Sequence, residues 1–312
     1  MVRPPEVMTP LQGLQQHFPD RELVYVDGAD LIAAADAARN ADLALVVVGY
    51  THADEGEYVS GIPLVAKEKG GDRFSLTLSP HDEELILQTA AANPRTVVVM
   101  EGGSAIITEA WRNHVPAMLM LWYPGMEGGH ALANLLSGRV NPSGKLPCVF
   151  PKSTDQLPFF DPNADEIEYG LYHGYRLMDQ QGQEPAFAFG FGLSYTTFEV
   201  DRLQVEADAI KVDEKLKVSV RVKNTSPHAG AEVIQLYVGC EKSTYDRPVK
   251  ELKGFRKIVL QPGEEQTVSF EVSVCTLSVW DGGWKVEPGS YKVWIGTSSR
   301  AEDLLETRIQ IG

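Results

Sequence analysis

The sequence predicts an α/β sandwich with a mostly parallel sheet, followed by an all-β sandwich of immunoglobulin or fibronectin III type. Three observations carry this reading. Residues 24–150 alternate continuous apolar runs with amphipathic stretches, and strands apolar throughout are strands covered on both faces. From about Asp201 the apolar period changes to two, with turn residues at short, regular spacing. The chain of 312 residues is long enough for two cores. The expected domains are 1–200, an α/β sandwich with a connector, and 201–312, a fibronectin type III-like sandwich.

Taken in order, ELVYVDG at 22–28 reads as the first strand, with a helix from Asp30 to Arg39. ALVVVGY at 44–50 is the next strand, running into a polar loop that carries Asp54, Glu55 and Glu57. Ser79 before Pro80, with Asp82 beyond, signals the start of a helix to Asn93. TVVVMEGG at 96–103 and AMLMLWYPG at 117–125 are further strands, each followed by a helix, near 105–112 and at 128–137. Apolar pairs one turn apart, Leu85 and Ile86 with Thr89 and Ala90, give the helix from Pro80 to Asn93 a single sheet-facing stripe. Residues 151–200 are rich in Pro, Gly and aromatics, lack a clear period, and read as an ordered connector. Beyond it KLKVSVRVKN, EVIQLYVGC, ELKGFRKIVL, QTVSFEVSV, YKVWIGTSS and LETRIQI follow one another, with turns at NTSPHAG, LQPGEE, WDGGW and EPGS.

Composition narrows the function classes. A formal net charge of −15 argues against nucleic-acid binding, which wants a basic face. No apolar run approaches the roughly 20 residues of a membrane helix. Cys148, Cys240 and Cys275 have no CxxC spacing and sit in apolar runs, so they read as small buried hydrophobes. The seven histidines, His17, His52, His81, His114, His130, His173 and His228, show no paired spacing that suits a metal. The reading calls for no metal and no cofactor. Phosphate-binding and dinucleotide-binding glycine motifs are missing, as is a G-x-S-x-G elbow, which leaves Ser104 as a loop residue.

The acidic loop holds the candidate chemistry. Ligands of parallel sheets sit beyond the carboxyl ends of the strands, where this loop, GGSA at 102–105 and WYPGMEGG at 122–129 all emerge. A carboxylic acid in such a crevice can protonate a leaving-group oxygen when burial or a second carboxylate raises its pKa. Asp54, Glu55 and Glu57, with few nearby cations, offer that mutual perturbation. A solvated acidic loop is the plainer alternative.

Several segments resemble glycoside hydrolase family 3. They are TPLQGL at 9–14, ADLALVVVGY, DEGEY, GDR with SLTL, NPRTVVVMEGGSA, LMLWYPGMEGGHALANLLSGRVNPSGKLPCVFP, YHGYR and FAFGFGLSYTTF. They follow the order of that family's second, α/β domain and its fibronectin III-like domain. The resemblance implies an exo-acting retaining β-glycosidase, most often a β-glucosidase, acting on a β-linked oligosaccharide or glycoside. It implies that an amino-terminal barrel supplies an aspartate nucleophile and that the acidic loop supplies the acid/base glutamate. The family's loop often reads Gly-Glu-Gly-Tyr. Gly56-Glu57-Tyr58 matches after deletion of one glycine and puts Glu57 first as acid/base. Glu55-Gly56 matches directly but leaves Glu57 inserted, so Glu55 stays as the alternative. Tyr58 would line the leaving-group subsite, and Asp72-Arg73 would brace the loop.

No run of eight βα units is present, so the barrel, with its nucleophile, is missing from these residues. Met1 then reads as an internal methionine and the chain as part of a longer or split protein whose sheet lacks its first strand. A barrel-domain partner chain would complete the site. These residues set no compartment, and a full-length protein with an upstream signal would be periplasmic or secreted. The competing expectation is a non-catalytic carbohydrate- or protein-binding remnant in which Glu57 does no chemistry.

Overall fold

The computed structural model describes residues 5–55, 73, 75–161 and 164–312, with backbone alone at 52 and 53. The chain divides into two compact units, Met1–Val140 and Asn141–Gly312.

In the first unit, α1 (Pro10–His17) opens with a capping box. Gln12 N–H donates to the Thr9 hydroxyl at 3.3 Å, and Thr9 N–H donates to the Gln12 side chain at 3.0 Å. Asp30 caps α2 (Leu31–Asn40) through the backbone N–H groups of Ile32 and Ala33. β1 (Ala44–Gly49) leads into α3 (His52–Glu55), and α4 (Pro80–Ala92) starts at the Ser79 cap. β2 (Thr96–Glu101), β3 (Ala117–Met120) and α5 (Gly128–Leu136) follow. The strands form a parallel sheet in the order β1-β2-β3, with Val46 opposite Val98 and Val98 opposite Met118. Val46, Val48, Val98, Met100, Ile86, Ile106 and Trp111 make the core. Helices α1 and α5 meet at two glycines, where a Cβ on Gly13 would lie 2.2 Å from the Gly129 carbonyl carbon.

Two expected elements differ. Residues 22–28 form no strand, and Val24 and Tyr25 are exposed. Leu23 to Val26 form an unbroken apolar run, but no neighbouring strand among the described residues takes up their backbone groups. The stretch 105–112 is not a helix either. Ile107 pairs in an isolated parallel bridge with Thr77, its N–H donating to Leu76 O at 2.7 Å, and only Arg112–His114 coil into a 3₁₀ turn. Burial of Ile106 and Trp111 fixes this segment as a bridge followed by a turn, where Trp111 and Arg112 N–H donate to Thr108 O, which overrides the expected helix.

In the second unit the period-two pattern becomes β4 (Phe198–Val205), β5 (Ala209–Ile210), β6 (Lys215–Asn224), β7 (Gly230–Cys240) and β8 (Glu251–Leu260). β9 (Glu265–Ser273), β10 (Val279–Trp280), β11 (Trp284–Lys285), β12 (Gly289–Gly296) and β13 (Leu304–Ile311) complete it. A five-stranded sheet, β5-β13-β12-β7-β8, and a three-stranded sheet, β4-β6-β9, enclose one core. In β6 the core residues are Leu216, Val218, Val220 and Val222, every second position.

Residues from Asn141 through the connector fold onto this sandwich. Asn141 donates to the Thr196 hydroxyl at 2.8 Å and to Ala229 O at 2.9 Å, and Lys145 pairs with Glu232 at 2.7 Å. In α6 (Tyr175–Gln181), Tyr175 stacks on Phe189, and Asp179 takes the buried Lys250 ammonium at 2.6 Å. The cysteine expectation holds in part: Cys148 and Cys240 are half-buried, whereas Cys275 is exposed in a 3₁₀ turn after β9. No helix among the described residues is long and apolar enough to cross a membrane.

Candidate functional site

The carboxyl ends of the three parallel strands converge. After β1, the Tyr50 N–H donates to Glu101 O at 2.9 Å. That approach needs a residue without a side chain at Gly49, where a Cβ would sit 2.0 Å from the same carbonyl oxygen and φ is 153°. After β2, Gly102 N–H donates to Trp122 O at 3.3 Å, beyond the end of β3. Trp122 has φ of 58°, a left-handed backbone rare in a bulky residue and a mark of sites where the surrounding structure holds strain.

Asp54 and Glu55 close the short helix α3 and have different partners. Asp54 accepts from Thr51, backbone N–H at 2.8 Å and hydroxyl at 2.9 Å, so it fixes the helix start. Glu55 turns inward. Its Oε1 pairs with Arg73 Nε at 3.1 Å, and its Oε2 accepts the Gly103 N–H at 3.0 Å. A Cβ on Gly103 would lie 3.0 Å from that oxygen and 3.1 Å from the Tyr123 ring, so glycine lets the backbone donor reach the carboxylate.

Arg73 is the hub. Its side chain is 7% exposed, against 15% for Glu55. Nη2 donates to Ala105 O at 3.1 Å and to the Ser104 hydroxyl, and the guanidinium lies 4.3 Å from the centre of the Tyr50 ring. The Tyr50 hydroxyl donates to Thr77 O at 2.7 Å, and burial pushes its pKa up against the opposing pull of the Arg73 charge. The buried Arg73 Nη1 has no hydrogen-bond partner among the described residues. Arginine suits this position because its fixed fork reaches three acceptors at once while its plane covers an aromatic face.

Of the residues read from the sequence, Glu55 is therefore tied to the strand ends. Glu57, Tyr58 and Asp72 lie outside the described residues, as does the His52 side chain. The acidic cluster short of cations has one after all, supplied from beyond the loop. A group the sequence reading passed over is Glu101, the last residue of β2, whose carboxyl burial pushes above its ordinary 4.5. Its signal was available: a carboxylate ending an apolar strand at the carboxyl edge of a parallel sheet. Among the described residues no group of three or more His, Cys, Asp or Glu could hold a metal ion.

Comparison with known proteins places both parts of the chain in families. The glycosyl hydrolase family 3 C-terminal domain matches residues 1–195, and a fibronectin type III-like domain matches residues 232–299. A beta-glucosidase of Bacteroides ovatus, BoGH3A, is 36% identical across 94% of this chain and 42% of its own length. A beta-xylosidase of Formosa agariphila is 35% identical across 96% of this chain and 41% of its own. The crystal structure of beta-D-glucoside glucohydrolase from Trichoderma reesei superposes with a TM-score of 0.87 at 28% identity, covering 100% of this chain and 46% of that one. Beta-glucosidase 3B from Thermotoga neapolitana, solved with alpha-D-glucose, gives 0.81 at 31% identity, covering 100% and 47%. The chain spans less than half the length of each. It belongs to glycoside hydrolase family 3, of which it carries the C-terminal α/β domain and the fibronectin type III-like domain.

Proposed function

We propose that this chain is the acid/base-bearing part of a retaining, exo-acting β-glycosidase, a β-glucosidase first, with Glu57 as the acid/base. Residues 1–200 and 201–312 are its two domains, and a barrel domain carrying an aspartate nucleophile completes the site. The supporting observation is the commitment of Glu55: both its oxygens already accept, from Arg73 and from the Gly103 N–H. A general acid must offer a proton to the leaving oxygen, and Glu55 is occupied as an anchor. Glu57 follows it in the same loop.

The chemistry needs two carboxyls about 5–5.5 Å apart. One attacks the anomeric carbon while Glu57 protonates the departing glycosidic oxygen. Glu57 then takes a proton from water, which displaces the covalently held sugar. Tyr58 would face the leaving group. The Arg73 clasp contributes by fixing where the loop begins and ends, since acid catalysis depends on sub-ångström placement.

The test is hydrolysis of p-nitrophenyl β-D-glucoside by the pure chain, alone and joined behind a family 3 barrel. The expected result is no turnover alone and turnover when joined. Turnover by the chain alone, at rates typical of a complete glycosidase, would overturn the need for a barrel. No turnover in the joined protein would favour a role without chemistry.

A further inference from the structure

The hairpin β10–β11 carries two tryptophans that the core does not use. Trp280 and Trp284 are 66% and 73% exposed. They are directly opposed across the two strands, with ring centroids 5.4 Å apart and planes at 75°, so that one indole presents its face and the other its edge. The turn between them is tightly built. Gly282 has φ of 64°, the Asp281 N–H donates to Gly283 O at 3.0 Å, and Lys285 pairs with Asp281 at 2.7 Å. The Tyr245 hydroxyl adds a bond to the same carboxylate at 3.2 Å. The Lys285 ammonium and the Tyr245 hydroxyl hold that carboxyl below its ordinary 3.8. The turn fixes the backbone from which both indoles project, which lowers the ordering cost of binding there.

We propose that the Trp280–Trp284 hairpin is a carbohydrate-binding platform, separate in role from hydrolysis, that takes the pyranose face of a neutral β-glucan. The ring faces match the C–H face of a pyranose. The Asp281 carboxylate at the turn beside them, bonded to Lys285 and Tyr245, is a further acceptor for sugar hydroxyls. The size of the patch chooses this occupant over a protein. Two indoles offer about 300–500 Å² at most, whereas a stable protein interface needs about 800 Å² from each partner. The charge of the chain, −15, disfavours an anionic polymer. The choice of β-glucan rests on the proposed glycosidase function, but binding here needs neither Glu57 nor a barrel.

The experiment is native affinity electrophoresis of the whole chain through gels with and without barley β-glucan, with albumin as the reference protein. The expected result is retardation of the wild type, at least tenfold weaker retention for Trp280→Ala and for Trp284→Ala, and unchanged retention for Glu57→Gln. Near-native circular dichroism of each variant confirms that the sandwich is intact. Equal mobility of wild type and variants in the β-glucan gel would overturn the proposal. So would concentration-dependent dimerisation that both tryptophan substitutions abolish, because the patch would then belong to a second copy of the chain. Failure here leaves the hydrolysis of a barrel-joined protein untouched, so the two readings fall separately.

Discussion

Arg73→Met removes the hub of the strand-end cluster while keeping a side chain of similar length. The structure sets the size of the effect. The substitution strips the guanidinium from Glu55 Oε1, Ala105 O and the Ser104 hydroxyl, and uncovers one face of Tyr50. It leaves a carboxylate only 15% exposed with, among the described residues, the Gly103 N–H as its remaining donor. Orphaning one member of a buried pair costs about 3–5 kcal/mol, and the residual exposure of Glu55 with its backbone donor brings the expected loss to about 2–3 kcal/mol. Glu55→Gln, which keeps the shape and one acceptor, should cost about 1–2 kcal/mol. In the double variant no charge is left unpaired, so its cost should fall short of the sum by about 1–2 kcal/mol. Because two units unfold in one chain, a single melting curve is ambiguous. Hydrogen exchange of peptide 96–103, read by mass spectrometry in the whole chain, isolates β2 and the Gly103 amide. Arg73→Met should speed it roughly 30- to 140-fold, a tenfold change per 1.4 kcal/mol. Additivity of the two substitutions within about 0.5 kcal/mol would refute the clasp.

Three further outcomes follow from the same physical reasoning. Gly13→Ala should cost the first unit at least about 2 kcal/mol, since its methyl would meet the Gly129 backbone at 2.2 Å; unchanged exchange in α5 peptides would count against the close α1–α5 contact. Burial works to raise the Asp303 carboxyl, but bonds from Arg300 and Ser298 outweigh it and hold it below its ordinary 3.8. A depressed folded pKa means stability present above that ordinary value and lost as pH falls through the folded one, so Asp303→Asn should flatten the acid limb of exchange in peptide 289–303. Lys145→Met should destabilise the second unit by about 3 kcal/mol by leaving the buried Glu232 unpaired, and Glu232→Gln should restore most of that; lack of rescue would show the 2.7 Å pair to be uncoupled.

Much of the fold was legible because single patterns dominated. The period-two reading puts the bounds of β6 to β9 and of β13 within two residues, and overruns the end of β12 by three. β1, β2 and β3 announce themselves as buried parallel strands by unbroken runs such as Val46-Val47-Val48. What escaped was decided by tertiary partners. Residues 105–112 read as a helix, yet burial of Ile106 and Trp111 and the bridge from Ile107 to Thr77 make them a bridge followed by a turn. Helix α1 escaped for a different reason, since its Thr9–Gln12 capping box was readable but its eight residues show little apolar stripe. The strand-end cluster was legible as a place, and the carboxylates of its loop as a residue class. The division of labour between Asp54, Glu55 and Arg73 was not, because it depends on which side chain turns toward Gly103 once three loops have met.

The proposed role of Glu57 is tested most directly by joining the chain behind a family 3 barrel and comparing Glu57→Ala with Glu55→Ala on two substrates. Methyl β-D-glucoside needs a protonated leaving group, whereas 2,4-dinitrophenyl β-D-glucoside scarcely does. A lost general acid/base typically costs 10²–10⁴-fold on the former. Glu57→Ala should show that loss on the methyl glucoside, a far smaller one on the dinitrophenyl glucoside, and a rate gain on addition of azide. Glu55→Ala, which only unpins the loop, should lose activity on both substrates to a similar degree and gain nothing from azide. The substrate split and azide rescue in Glu55→Ala, with neither in Glu57→Ala, would contradict the account and make Glu55 the acid.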